Sequence, residues 1–378
     1  MAGIKRAITT ARGPQEAASE LAAGLMQPGC CLVLLFVSPS YEIGALAGAL
    51  AECFVDVQVA GCTTAGEIGP GGYVEGAIVG VSFAGPDFAA SVGLLEDLRG
   101  RDVVAMQASV RRTRLAIYDA APWARHENLF ALLLVDGMCG CEEMVATAAC
   151  GALAGIPLRG GSAGDSLHFE RTFILHDGVF RRDCALVVVM ATTRRFRAFK
   201  TEHIVCGTER VVVTGADPQR RVVTEINAEP AAAAYGKMIG FSPAELTPAI
   251  FATHPMVVRV GEQIFVRSIQ RKNDDGSLTF FCAIDEGVVL TVGSGGDLLG
   301  NLADNFAEVE KALGRPELVL GFDCILRGLE LEQRQIRRQA GQILDWNNTV
   351  GFSTYGEQYD AMHVNQTLTG IAIGGADA

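Results

Sequence analysis

The sequence predicts an α/β protein built from repeated strand-helix-strand crossover units, forming two sheet-containing halves with an antiparallel meander in the second. Three observations predict this. A pattern of glycine, hydroxyl, glycine and acid recurs as Gly61-Cys62-Thr63-Thr64-Ala65-Gly66-Glu67, Gly160-Gly161-Ser162-Ala163-Gly164-Asp165 and Gly351-Phe352-Ser353-Thr354-Tyr355-Gly356-Glu357. Each occurrence follows an apolar run of strand length and then a helical stretch, the order of a right-handed crossover whose loop lies at a sheet end. Finally, 49% of the 378 residues are hydrophobic and only 20% charged, ample apolar material for large cores.

Taken in order, the first copy reads as a strand over 32–37, a helix over 42–54, a return strand over 57–60, the corner, and a closing strand over 77–83. The second reads as a strand over 129–135, a helix over 141–153, the corner, and a closing strand over 185–190. The third reads as a strand over 318–322, one helix over 329–344, the corner, and a closing strand over 367–373. Between the second and third copies, residues 210–223 and 257–282 alternate Val, Ile, Phe and Arg around turns at Ala216-Asp217-Pro218 and Asn273-Asp274-Asp275-Gly276, as antiparallel strands require. Residues 228–239 read as a helix with Pro230 in its first turn, and 297–313 as an amphipathic helix after the flexible turn Gly293-Ser294-Gly295-Gly296. The boundary between domains 1–195 and 205–375 is expected within 192–206, with Arg194-Arg195-Phe196-Arg197 as a solvated linker.

Composition narrows the function. A net charge of −12 is the wrong sign for binding phosphate backbones, so no nucleic-acid partner is expected. The apolar runs 30–37, 129–135 and 185–191 fall short of the roughly 20 residues that cross a bilayer, and residues 1–15 lack the apolar stretch of a leader. No membrane association and a cytoplasmic address are therefore expected. Eleven cysteines, an odd number with Cys30 next to Cys31 and most others in apolar runs, read as reduced thiols rather than a disulfide framework. Cys139 and Cys141 are spaced C-x-C, without a second pair at zinc-finger distance.

The corners are either structural turns or the lining of a pocket, and both readings stay open. Gly160-x-Ser162-x-Gly164 matches the elbow of serine hydrolases, but the polar and aromatic residues 165–180 replace the helix that an elbow needs. Cys62 becomes a nucleophile only if a base lowers its pKa, and no base is evident. Six histidines are present. In an extended segment 199–205, His203 shares a partly apolar face with Phe199, Thr201 and Val205 at the junction of the halves, either as a satisfied core residue or as a ligand. His254 precedes Pro255, and His363 shares a polar face with Asn365, Thr367 and Thr369.

The three corners, together with His363-Val364-Asn365-Gln366-Thr367, resemble the FIST sensory domain over nearly the whole chain, about 30–195 for its amino-terminal and 205–375 for its carboxy-terminal part. Asn227-Ala228-Glu229-Pro230-Ala231, Arg267-Ser268-Ile269-Gln270-Arg271 and Thr354-Tyr355-Gly356-Glu357-Gln358 resemble its NosP branch of nitric-oxide-sensing haem proteins. That resemblance implies a non-enzymatic haem b sensor of nitric oxide that regulates a partner histidine kinase in biofilm or cyclic-di-GMP signalling. The haem iron would be held by His203, or failing that by His363 or His254. The wider family implies instead a sensor of an amino acid or another small metabolite. Its pocket would be lined by Cys62, Thr63, Thr64, Glu67, Ser162, Asp165, Thr354, Tyr355 and Glu357. An acyl-transfer or thiol enzyme using Ser162 or Cys62 is a third reading. A homodimer is left open.

Overall fold

Three passes of the chain each lay down the same sequence of elements, and each leaves one hairpin on a neighbour. The computed structural model describes residues 3–100, 102–261 and 263–376. The first pass runs β1 (Ile4–Thr9), α1 (Pro14–Leu25), β2 (Cys30–Val37), α2 (Ile43–Cys53), β3 (Val59–Thr63), the hairpin β4 (Glu67–Gly69) and β5 (Gly72–Val74), and β6 (Ile78–Ala84). The second runs β7 (Phe88–Glu96), α3 (Val103–Ala120), β8 (Leu129–Val135), α4 (Glu142–Leu153), β9 (Leu158–Ser162), β10 (Ile174–His176), β11 (Val179–Arg181) and β12 (Cys184–Thr192).

The third pass opens with β13 (Phe196–Glu202) and is interrupted by an insertion: β14 (Ile204–Asp217), β15 (Val222–Ile226), β16 (Glu229–Pro230), α5 (Ala231–Ile239), α6 (Pro248–Thr253), β17 (Met256–Val260), β18 (Gln263–Arg267), β19 (Ile269–Lys272), β20 (Leu278–Phe280) and β21 (Val289–Gly295). It resumes with α7 (Leu298–Leu313), β22 (Leu318–Cys324), α8 (Ile325–Gln333), α9 (Arg337–Trp346), β23 (Thr349–Thr354), β24 (Glu357–Tyr359), β25 (Met362–Val364) and β26 (Thr367–Ile373).

The sheets are ordered β1-β6-β2-β3-β10-β11, β7-β12-β8-β9-β24-β25 and β13-β26-β22-β23-β4-β5. The hairpin of each pass thus completes another pass's sheet, in a closed cycle. A fourth, antiparallel sheet of eight strands is the insertion, so the α/β class with a meander in the second half is what the chain adopts. Arg221 pins that sheet to the second pass, with Nη2 2.5 Å from both Glu142 and Glu143.

Strands buried on both faces explain the unbroken apolar runs. Leu32, Leu34 and Phe36 of β2 share one core with Leu132 and Leu134 of β8 and with Leu318, Leu320 and Phe322 of β22. The alternate residues Val33, Leu35 and Val37 pack outward on Leu21 of α1 and Leu46 and Leu50 of α2. Helix starts follow local chemistry: Pro14 opens α1, and Asp297 caps α7 by accepting from Gly300 N–H at 2.9 Å.

Some expected boundaries move. The helix expected over 329–344 is two helices, parted where Gln335 takes a left-handed φ of 56°. The supposed linker is β13, and Arg194 is not solvated: its side chain is 7% exposed, with Nη2 2.8 Å from Asp87 and Nη1 on Glu317. Its guanidinium lies between the carboxylates of Asp87 and Glu317, just ahead of the pairing of β13 with β26.

The first glycine of each corner lies in a strand, where two parallel strands come too close for a side chain. A Cβ on Gly61, Gly160 or Gly351 would fall 1.9, 1.9 or 1.7 Å from the carbonyl oxygen of Leu35, Leu133 or Gly321. Gly351→Ala is therefore expected to lower the urea midpoint by the equivalent of about 2–3 kcal/mol. An unchanged midpoint would mean that β22 and β23 can part freely.

Candidate functional site

The three corners meet and bond in a ring. Ala65 N–H donates to Ser353 O (2.9 Å) and Ser353 N–H to Gly66 O (2.7 Å); Ser162 N–H donates to Gly356 O (2.9 Å) and Gly164 N–H to Thr63 O (3.0 Å). Glycine at 164 is needed for this approach, since a Cβ there would lie 2.7 Å from Ala65 N. The ring holds the carboxyl ends of the parallel strands together, the end at which open α/β sheets bind ligands.

On one side of this ring lies a cleft with two lobes, 410 and 750 Å³, that share Ser38, Glu75, Gly76, Ser166 and His168. Each pass contributes a wall. Ser38 follows β2, and Glu67 and Glu75 flank the exchanged hairpin of the first pass. The loop from Asp165 to Arg171 comes from the second, and Ser353, the Gly328 side of α8 and Arg337 of α9 come from the third. Asp165 shapes its loop by accepting from the N–H groups of Phe169, Glu170 and Arg171, each at 2.8 Å, and from the Tyr355 hydroxyl.

The cleft is rich in charge. Glu42, Glu67, Glu75, Glu170 and Glu332 share it with Arg171 and Arg337. Arg337 bridges Glu75, at 2.7 Å, and Glu332. Glu67 forms part of the floor, 1% exposed, accepting from the Thr64 hydroxyl and from Ala77 N–H at 3.1 Å. Burial pushes its carboxyl up to about 7 against the pull of these hydrogen bonds. His168 donates from Nδ1 to Asp165 O at 2.7 Å.

Of the pocket residues expected from sequence, Thr63, Glu67 and Asp165 line this cleft. Tyr355 lines a separate 120 Å³ cavity between the second pass and the insertion. Cys62, Thr64, Ser162, Thr354 and Glu357 are sealed inside. Thr354 donates toward Ser162 O and Gly356 O, both 2.8 Å away. Ser162 Oγ accepts from Gln358 (3.1 Å), and Glu357 accepts from the Thr367 hydroxyl (2.6 Å) and N–H (3.1 Å). Burial drives the Cys62 thiol well above its usual pKa, so it is no activated nucleophile. Ser38, Ser166, His168, Ser353 and Arg337 were not among the expected pocket residues, although Ser353 belongs to the third corner; for Ser38 the available signal was position, since it directly follows an apolar strand.

His203 and His363 do not offer what a haem needs. A haem needs one imidazole nitrogen with a free lone pair facing open apolar space. Both nitrogens of His203 are committed, Nδ1 3.1 Å from Arg327 Nη1 and Nε2 2.7 Å from Glu330 Oε2. Because Arg327 can only donate, Nδ1 is the acceptor and the ring proton sits on Nε2, held by Glu330. His363 Nε2 is unpartnered, but a Cβ on Gly356 would already lie 2.4 Å from it, leaving no room for a porphyrin. His254 packs on Phe241, with Nδ1 3.0 Å from Thr253 Oγ1 and 3.2 Å from Ile250 O. As placed, His203 has no free nitrogen for an iron, because Arg327 and Glu330 of α8 occupy both. Among the described residues, no group of three or more His, Cys, Asp or Glu is placed to hold a metal ion, and no helix is long and apolar enough to cross a membrane.

Two sensory-domain profiles cover most of the chain: the FIST N domain matches residues 31–229 and the FIST C domain residues 231–360. The chain belongs to the FIST family, whose domains are sensory modules of signal transduction. No curated protein matches it. Among solved structures, a cyanuric acid hydrolase from A. caulinodans is similar at 10% identity and a TM-score of 0.41, over 98% of this chain and 99% of that one. A second cyanuric acid hydrolase structure is similar at 10% identity and a TM-score of 0.40, over the same shares. Both neighbours are enzymes by name, which stands against the expectation of a non-enzymatic protein. A likeness of this size carries no activity to the present chain.

Proposed function

We propose that the cleft beside the corner ring is the ligand site of this sensory protein, and that it takes a small zwitterion of the amino-acid type. The observation that carries this reading is the charge layout. Arg337, held between Glu75 and Glu332, is the cation of this lobe that a ligand carboxylate can take over. The carboxylates it would release, together with Glu67 once it gives up its proton, face an ammonium group. Charged groups in a partly enclosed cleft orient such a ligand and reject neutral ones, which would leave them desolvated and unpaired. Output then passes by contact to a partner, which the NosP resemblance suggests is a histidine kinase.

A screen of single amino acids by thermal unfolding tests the reading. At a hundred times its Kd, the right ligand stabilises the fold by about 2.7 kcal/mol, and Arg337→Ala abolishes the shift. Absence of any shift, or a shift that survives in Arg337→Ala, would overturn the assignment. A Soret band in haem-loaded protein that moves on addition of nitric oxide would replace it with the gas-sensor reading.

A further inference from the structure

The insertion leaves and rejoins the third pass at two crossings, and one helix holds both. The first crossing is His203, between β13 and β14; the second is Gly295 and Gly296, between β21 and the Asp297 cap of α7. They are tied together by Gly296 N–H donating to His203 O at 2.8 Å. Three side chains from α8 and its end grip the pair. Arg327 and Glu330 take the two nitrogens of His203, at 3.1 and 2.7 Å. Arg334 donates to Gly295 O and Gly296 O, both at 2.8 Å, and pairs with Glu330 Oε1 at 2.7 Å. The fit is close: a Cβ on Gly295 would fall 2.0 Å from Glu330 Oε1.

Another face of α8 lines the cleft through Ile325, Gly328, Leu329 and Glu332, spaced i, i+3, i+4 and i+7. Residues 327, 330 and 334 form a separate stripe with the same kind of spacing. Leu326 of α8 also packs in one apolar cluster with Ala252 of α6 and with Phe281, both belonging to the insertion. A short helix packed this tightly moves as a unit, so displacement on the cleft side is felt at the crossings.

We propose that α8 couples occupancy of the cleft to the inserted sheet, by changing how Arg327, Glu330 and Arg334 hold the crossings at His203 and Gly295-Gly296. The proposal rests on the cleft being the ligand site, but not on the ligand being an amino acid. The inserted sheet is then the part of the molecule whose position reports binding, and α8 is a positioning element that need touch no partner itself. Two-site coupling of this kind requires only that the ligand favour one arrangement of α8 over another.

A tryptophan can stand in for the ligand. A Cβ built on Gly328 meets nothing within 4 Å beyond its own stretch of helix, and Gly328 lines the cleft, so the indole of Gly328→Trp enters it. Backbone hydrogen exchange is then compared at residues 204–206 and 290–296, which the indole does not touch. Exchange there is expected to change about fivefold or more, the lower end of ordinary coupling, and the change is expected to vanish when Glu330→Gln and Arg334→Ala are added. Should the triple variant fail to fold, Gly328→Trp with Arg334→Ala alone, whose side chain is 34% exposed, serves the same purpose. Exchange that changes only in the cleft-lining segments, or that changes at the crossings without regard to Arg334, overturns the relay. A failed amino-acid screen beside a positive exchange result overturns the ligand class alone.

Discussion

Replacing Arg327 by alanine is expected to destabilise the fold by about 3–5 kcal/mol, the cost of stranding buried charges. Arg327, Asp323 and Glu330 all have side chains with 0% exposure. Arg327 Nε lies 2.6 Å from Asp323 Oδ1, and the other oxygen of Asp323 accepts from Tyr73 on the exchanged hairpin of the first pass. Burial, with the Arg327 charge adding to it, holds His203 below its ordinary pKa in the parent fold. Removing the guanidinium therefore leaves Asp323 buried with one neutral hydrogen bond and His203 Nδ1 with none. The control is Arg327→Gln with Asp323→Asn, which removes both charges and keeps polar groups in place. It is expected to recover most of the loss, because a neutralised pair no longer pays for desolvation. Denaturant midpoints of the three proteins measure this. A loss below about 1 kcal/mol for Arg327→Ala would put the pair in the class of exposed ion pairs and refute its structural weight.

The same residues mark the limit of what the sequence discloses. The corners and their closing strands were legible because glycine is forced where a Cβ would fall 1.7–1.9 Å from the neighbouring strand's carbonyl oxygen, and both-face burial writes continuous apolar runs into β2, β8 and β12. The exchange of hairpins was not. β4 and β5 have three residues each, and their partner β23 begins 280 residues later, so no local periodicity reports the pairing. The leading strand β1 was also missed, having five half-buried residues of six, and only the part of β13 from residue 199 was read as extended, its start being taken as charged linker. His203 was singled out from its apolar neighbours, and Phe199 and Thr201 are indeed buried with it. What decides its chemistry is Arg327 and Glu330, more than a hundred residues away, brought in by a helix whose start the sequence placed too late. The cleft shared this difficulty. Thr63, Glu67 and Asp165 could be read from the corner pattern, whereas Arg337 and His168 are joined to them only by the cyclic arrangement of the passes.

Stability is expected to fall by about 3 kcal/mol as pH rises from 4.5 to 7 on account of Glu67 alone. Burial raises its carboxyl from the ordinary 4.5 to about 7, against the opposing hydrogen bonds from Thr64 and Ala77, with the nearby Glu75 adding to the rise. The folded state thus holds a proton that the unfolded chain gives up at lower pH. This contribution is complete below 4.5, shrinks as pH climbs toward 7 and is gone above it. Glu67→Gln keeps the shape and cannot ionise, so its unfolding free energy should lack this slope. Subtracting the two pH profiles cancels every other group, including the still more strongly raised Glu357. A ligand ammonium beside Glu67 favours the ionised carboxylate, so binding should expel a proton near pH 6.5 in the parent protein and none in Glu67→Gln. Isothermal titration in buffers of different ionisation enthalpy reads that proton directly. Parallel stability profiles would show that Glu67 stays ionised in the fold, and equal proton release from both proteins would move the ammonium site away from the floor of the cleft.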